Sequence, residues 1–179
     1  ASSSMDMEET GTCAIMDDYA LYCWGGRDSQ ANGFGNSTLP GIPMKVNLLN
    51  GTSFNSVSTM YRHTCVHFTN GTIGCFGDNS YNLGNGGYSL DKGTSLVYPF
   101  GITYMKTMSG SDSLICAVDN SSQIFCTGKN DRENSVNGFV YRVPGTGNQV
   151  ISNHSFSIAN IGEIRQLYVG SSISCATNT

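Results

Sequence analysis

Three cysteine pairs recur down this chain, each with nine residues between its partners: Cys13/Cys23, Cys65/Cys75 and Cys116/Cys126. The first members lie 52 and then 51 residues apart, and the segments between partners look alike: CAIMDDYALYC, CVHFTNGTIGC and CAVDNSSQIFC. Each second cysteine is followed by one residue and a glycine, at Gly25, Gly77 and Gly128. A further unit opens near the end as GSSISCATNT around Cys175. A fixed period of this length is the signature of a repeat architecture.

The spacing also sets the local geometry. Aliphatic, aromatic and β-branched residues flank turn chemistry at Asp17-Asp18, Asn70-Gly71 and Asn120-Ser121-Ser122, so each segment reads as a β-hairpin. Partners ten apart face each other only across an odd loop, centred on Asp18, Asn70 and Ser121. A three-residue loop is a type I turn followed by a left-handed residue, which puts Gly71 where glycine costs nothing. Opposed Cα atoms about 4.5–5.5 Å apart are within disulfide reach. The spacing therefore predicts three cross-strand bridges, with Cys175 left unpaired within the chain.

A second strand is expected before each later hairpin, over 54–58, 104–108 and 164–169, and glycine-rich polar loops follow the hairpins over 25–36, 77–87 and 128–138. No stretch sustains a 3.6-residue apolar period, so little helix is expected. The chain divides as one repeat domain, 1–179, with units at 5–53, 54–103 and 104–163 and a partial fourth at 164–179.

These residues resemble the repeats of the regulator of chromosome condensation family. The resemblance rests on Arg62-His63-Thr64-Cys65-Val66, Cys23-Trp24-Gly25-Gly26, Gly77-Asp78-Asn79 with Asn82-Leu83-Gly84, and Pro43-Met44-Lys45-Val46. The doubly cysteine form is similar to repeats of secreted bacterial proteins and of crinkly-type plant receptor ectodomains. The third unit departs most: Thr127 replaces the aromatic, and the Gly-x-Leu-Gly loop is missing. The resemblance implies an all-β fold of β-propeller-type repeats, three full units plus a partial fourth, as an arc or fragment of a larger propeller. It does not imply one activity, because the family spans nucleotide exchange factors, receptor ectodomains and secreted inhibitors.

Closed propellers have about 4–8 blades, so 179 residues predict either a piece of a longer protein or an open arc completed by another chain. In either case unpaired strand edges recruit other strands, and these residues are not expected as an isolated monomer. The expected partners are proteins: further repeats or copies of itself. Only 12% of residues are charged, with net charge −4, against about 25% charged in average soluble proteins. No Lys/Arg cluster offers a phosphate-binding surface, so no nucleic-acid partner is expected. No run approaches the roughly 18 apolar residues of a membrane helix, so no membrane insertion is expected within this segment.

Six cysteines in hairpin register argue for an oxidising compartment and an extracellular or cell-surface location. The competing reading is a reduced repeat protein with buried free thiols. Five Asn-x-Ser/Thr sequons, at Asn36, Asn50, Asn70, Asn120 and Asn153, are candidate N-glycan sites. A composition this rich in Asn, Ser and Thr yields about three or four by chance, so their expected positions at turns and between hairpins weigh more than their number.

Candidate chemistry meets bland alternatives. His63, Cys65 and His67 share one strand face, but Cys65 is better used in its bridge, and His154 stands in a polar loop. Asp6, Glu8 and Glu9, with Asp17 and Asp18, read as a solvated acidic terminus and a hairpin tip, poor places for paired carboxylates in acid/base work. Gly33-Phe34-Gly35 and Gly84-Asn85-Gly86-Gly87 lack the strand–loop–helix setting of phosphate loops. Trp24 and Phe76 recur at one position and are expected to pack between blades. No catalytic residue, cofactor or metal ligand is therefore assigned. The expectation is a non-enzymatic, disulfide-stapled structural or interaction module of an extracellular filament or coat. The alternative is a ligand-binding receptor ectodomain or secreted inhibitor, and the third reading is a guanine nucleotide exchange factor.

Overall fold

In the computed structural model the described residues are 2–8, 11–25, 41–47, 52–60, 63–77, 96–99, 104–111, 114–128, 154–156, 163–170 and 174–178. They form strands and turns and no helix. The first sheet runs β1 (Ser2–Glu8), β2 (Gly11–Met16), β3 (Leu21–Trp24), β4 (Met44–Lys45), in that spatial order. The second runs β5 (Phe54–Thr59), β6 (His63–Phe68), β7 (Ile73–Gly77), with Val97 bridging to Cys75 from outside. The third is β8 (Met105–Ser111), β9 (Leu114–Asp119), β10 (Ile124–Gly128), β11 (His154–Phe156), and the fourth pairs β12 (Ile164–Val169) with β13 (Ser174–Asn178). Every pairing is antiparallel. Each sheet is one blade of a β-propeller-type fold, and each repeat supplies one blade.

The hairpin loops have three residues, as the spacing predicts. Met16 N donates to Ala20 O, Phe68 N to Thr72 O and Asp119 N to Gln123 O, closing loops at 17–19, 69–71 and 120–122. The third loop residue is left-handed in all three, with φ of 57° at Tyr19, 87° at Gly71 and 61° at Ser122. Two units thus hold a non-glycine residue in the conformation that the second leaves to glycine. The Cys-x-Gly pattern has the same cause, since Gly25 and Gly77 stand at φ 77° and 119°.

One regularity is invisible in the sequence. The first strand of every blade carries a register shift at its second residue, between Ser2/Ser4, Phe54/Ser56, Met105/Thr107 and Ile164/Gln166. Such a bulge inserts one residue and reverses the alternation of faces. Residues three apart therefore share a face, and Phe54 with Val57, Met105 with Met108 and Ile164 with Leu167 each enter one core cluster together.

The core lies between blades. Cys13, Ile15, Leu21, Cys23 and Val46 of the first blade pack against Phe54, Val57, Val66, Phe68 and Phe76 of the second. Met60, Cys65, Ile73 and Cys75 pack against Met105, Met108, Ile115 and Ala117 of the third. Cys116, Val118, Ile124 and Cys126 pack against Ile164, Leu167 and Val169 of the fourth. A single blade has little of its own to bury; its apolar faces are satisfied only by neighbours, as in solenoids.

Two sequence readings are corrected. The acidic stretch at Asp6 and Glu8 is not a loose terminus but part of β1, paired residue by residue with β2 (Asp6 with Cys13, Glu8 with Gly11). That strand begins at Ser2, ahead of residue 5. His154 lies in β11, opposite Cys126, rather than in a loop. In β1, Met5 and Met7 alternate with Asp6 and Glu8, a short period-2 pattern that the charged residues obscure, and pairing with strand partners holds both segments extended.

Candidate functional site

The junctions between blades bring together most of the residues that the sequence singles out. Cys13 and Cys23, Cys65 and Cys75, and Cys116 and Cys126 are directly opposed and disulfide-bonded, with Cα atoms 4.2, 4.1 and 4.1 Å apart. Cys75 exchanges both backbone hydrogen bonds with Val97 on its other side, at 2.7 and 2.8 Å. Its pairing with Cys65 is therefore of the non-hydrogen-bonded, closer kind. All six bridged cysteines are buried, and each bridge faces the next blade. Cys175 is a free, exposed thiol on β13.

A hydrogen bond crosses each junction at the hairpin tip. The first residue of each following strand donates its N–H to the left-handed turn residue before it: Phe54 to Tyr19 O at 3.3 Å, Met105 to Gly71 O at 2.7 Å, and Ile164 to Ser122 Oγ at 3.3 Å. Sequence reasoning missed this seam. Its one signal is that Tyr19, Gly71 and Ser122 all stand six residues after the first cysteine of their unit. At the second junction His67 Nε2 lies 2.9 Å from Met105 O. The neutral ring must carry its proton on that nitrogen to donate it. At the third, Val169 N donates to Ser109 Oγ at 3.0 Å, and Lys106 pairs with Glu163.

The turn acids and amides have structural work. Asp18 Oδ1 accepts from Ala20 N at 3.1 Å, and Oδ2 accepts from Tyr22 Oη at 3.2 Å and Lys45 Nζ at 3.5 Å. The Ala20 amide first, then Lys45 and Tyr22, hold its carboxyl below the usual carboxylate range. Asn70 does the same for its turn: Oδ1 accepts from Thr72 N at 3.0 Å and Thr72 Oγ1 at 2.8 Å. In the third unit Asp119 Oδ1 caps instead, accepting from Ser121 and Gln123 amides at 2.8 Å each.

Of the candidate glycan sites, Asn70 and Asn120 are exposed at hairpin tips, and Asn70 has a capping role whether or not it carries a sugar. Asn36, Asn50 and Asn153 lie outside the described residues, as do most of the glycine-rich loops. His63 and His67 are buried on the disulfide-bearing face of β6, and among the described residues no group of three His, Cys, Asp or Glu is placed to hold a metal ion. Phe76 packs between the first two blades, and Trp24 is half-buried at the matching position of the first.

No family model matches the chain, and no curated protein does. Solved structures do. Human WBSCR16 superposes with a TM-score of 0.76 at 12% identity, covering 97% of this chain and 44% of that one. Prp20p from Saccharomyces cerevisiae, in a structure reported with its binding properties to Gsp1p and histones, gives 0.74 at 14%, covering 96% and 42%. The CRINKLY WD40 ectodomain of the Arabidopsis thaliana receptor kinase ACR4 gives 0.57 at 16%, covering 97% and 49%. The chain spans less than half the length of each. At these identities the likeness concerns the fold, which is that of the β-propellers the repeat motifs resemble.

Proposed function

We propose that this chain is a non-enzymatic protein-interaction module of an extracellular or cell-surface assembly, and that the partner it fits is another unit of its own kind. The observation that carries the reading is an apolar face of the first blade that no blade covers among the described residues. Met5 opposes Ala14 in the register in which Val57 opposes Val66, Met108 opposes Ala117 and Leu167 opposes Ala176. Val57, Met108 and Leu167 are buried against the preceding blade, whereas Met5 is 55% exposed. Met16, at the position of buried Phe68, is 37% exposed. A face built to the pattern of an inter-blade contact is suited to a further repeat or a copy of the chain. Three buried disulfides suit an oxidising location, and exposed Asn70 and Asn120 suit a glycosylated surface.

Protein binding is in keeping with the neighbours, since Prp20 was crystallised bound to Kap60. A receptor ectodomain or secreted inhibitor is the second reading, favoured by the ACR4 likeness. Nucleotide exchange is less well supported, because the paired cysteines suit a different compartment. Sedimentation velocity of the oxidised chain, with Met5→Asp and Met16→Asp variants, tests the proposal. Association that grows with concentration and is lost in both variants supports it. A monomer with no self-association, binding a soluble ligand saturably, would replace it with the second reading.

A further inference from the structure

His67 distinguishes one junction from the other two. Its ring is buried between the second and third blades and donates to Met105 O, while Met105 N donates to Gly71 O. The equivalent positions, two residues after the first cysteine, hold Ile15 and Val118, which cannot titrate. We propose that His67 makes the junction between the second and third blades an acid-sensitive seam, which loosens before the other two when the pH falls.

The surroundings favour the neutral ring. On its own sheet His67 shares a face with Ser56 of β5 and with Met60 just after it, with His63 and the bridged Cys65 of β6, and with Ile73 and the bridged Cys75 of β7. The third blade presents Met105 and Met108 from β8 and Ile115 and Ala117 from β9. Among the described residues, the charged groups nearby are engaged elsewhere. Asp119, opposite Met105, caps its own turn, and Lys106 pairs with Glu163. Burial holds the imidazole below its usual value of 6.5, outweighing the pull of the Met105 and Gly71 carbonyls toward the charged form. A base with a depressed folded-state value binds protons more tightly once released from the fold, so stability falls as the pH falls. The contribution is whole above about pH 6.5 and is lost progressively below it. Opening the junction rehydrates the ring and lets it charge.

Native-state hydrogen exchange on the full oxidised chain at pH 7.5 and pH 5.0, corrected for intrinsic exchange, reads the three seams through the amides of Phe54, Met105 and Ile164. The expected result is a several-fold loss of protection at Met105 on acidification, with little change at the other two. In H67Q, which keeps a donor for Met105 O but cannot titrate, that loss disappears. Equal loss at all three amides, or loss at Met105 undiminished in H67Q, overturns the proposal. The wild-type His67 ring, followed by NMR, supplies an arm independent of the variant's folding. Titration below the ordinary imidazole range, in step with the Met105 loss, supports the seam. Titration at or above that range rejects it.

Discussion

Tyr19 and Ser122 hold the left-handed turn position that the second unit gives to glycine, at φ 57° and 61°. A non-glycine residue there is strained, and the remedy follows. Tyr19→Gly keeps the backbone oxygen that accepts from Phe54 N and should raise stability by about 0.5–1 kcal/mol, the relief of strain being partly offset by a more flexible unfolded chain. Ser122→Gly gains the same relief but loses the Oγ that accepts from buried Ile164 N, at about 1–3 kcal/mol, and should be destabilising on balance. The reverse change is worse than symmetrical. A Cβ on Gly71 would sit 3.0 Å from Tyr104 Cδ1 as well as at φ +87°, so Gly71→Ala should cost about 1–2 kcal/mol. Urea unfolding of the three variants decides it; a stabilised Gly71→Ala would show that the turn relaxes. Gly74 makes a different point. Its added Cβ would meet Leu96 Cδ2 at 2.8 Å and Phe68 Cε2 at 2.9 Å. Matching positions hold Tyr22 and Phe125, so the second blade fills from Phe68 a space that its neighbours fill from the other strand. Phe68 is wedged against Phe54, with ring centroids 5.3 Å apart. Gly74→Ala should therefore cost about 1–3 kcal/mol, measured in the same way.

Each hairpin combines a strained or capped turn with a bridge near its open end. A loop of this length gives a disulfide roughly 2–3 kcal/mol of chain-entropy stabilisation at best. The burial of the bridges adds a kinetic consequence. Because every bridge is sealed beneath the following blade, a reductant reaches the sulfurs only when a junction opens. Thiol labelling under mild reductant should therefore find Cys175 modified at once, and the six bridged cysteines only on addition of denaturant. Reduction of all three bridges at the rate of a solvent-exposed disulfide would show that the junctions open freely. The bulged first strands belong to the same picture. They turn two residues three apart onto one face, and without the extra residue one of each pair would point away from its core.

The blades form a series in which each buries its apolar surface only against its neighbours. In such an arrangement stability is close to a sum of units and interfaces, so damage stays local. Phe76→Ala removes a fully buried ring from the first junction, at an expected cost of about 3–5 kcal/mol. Hydrogen exchange should then show lost protection at Phe54 and Val57, with Ile164 and Val169 almost unchanged. Uniform loss across the chain would mean that the blades unfold as one cooperative unit. The acid-sensitive seam and the exposed Met5 face are two further consequences of this serial plan: one junction holds a titratable ring, and the outer face of the first blade repeats the pattern of a junction that no blade covers among the described residues.

Much of this was legible from spacing. A separation of ten from cysteine to cysteine set an odd loop, the loop set the left-handed residue at Gly71, and the fifty-residue period set the blade. These are short-range constraints, settled within a dozen residues by backbone geometry and turn chemistry. The sequence was silent or misleading where partners are far apart in the chain. Asp6 and Glu8 alternate with Met5 and Met7, but four residues are too short a run to outweigh their charge, and it is pairing with β2 that holds them extended. Nothing in the polar and basic residues Asn55, Lys106 and Arg165 announces a bulge, because what a bulge serves is the core shared with the preceding blade. His67 looked like one of two histidines flanking a cysteine. Its role at the seam exists only because folding brings Met105, 38 residues away, within 2.9 Å. Local periodicity decides what each unit is, and packing between units decides which of its residues are buried, strained or able to respond.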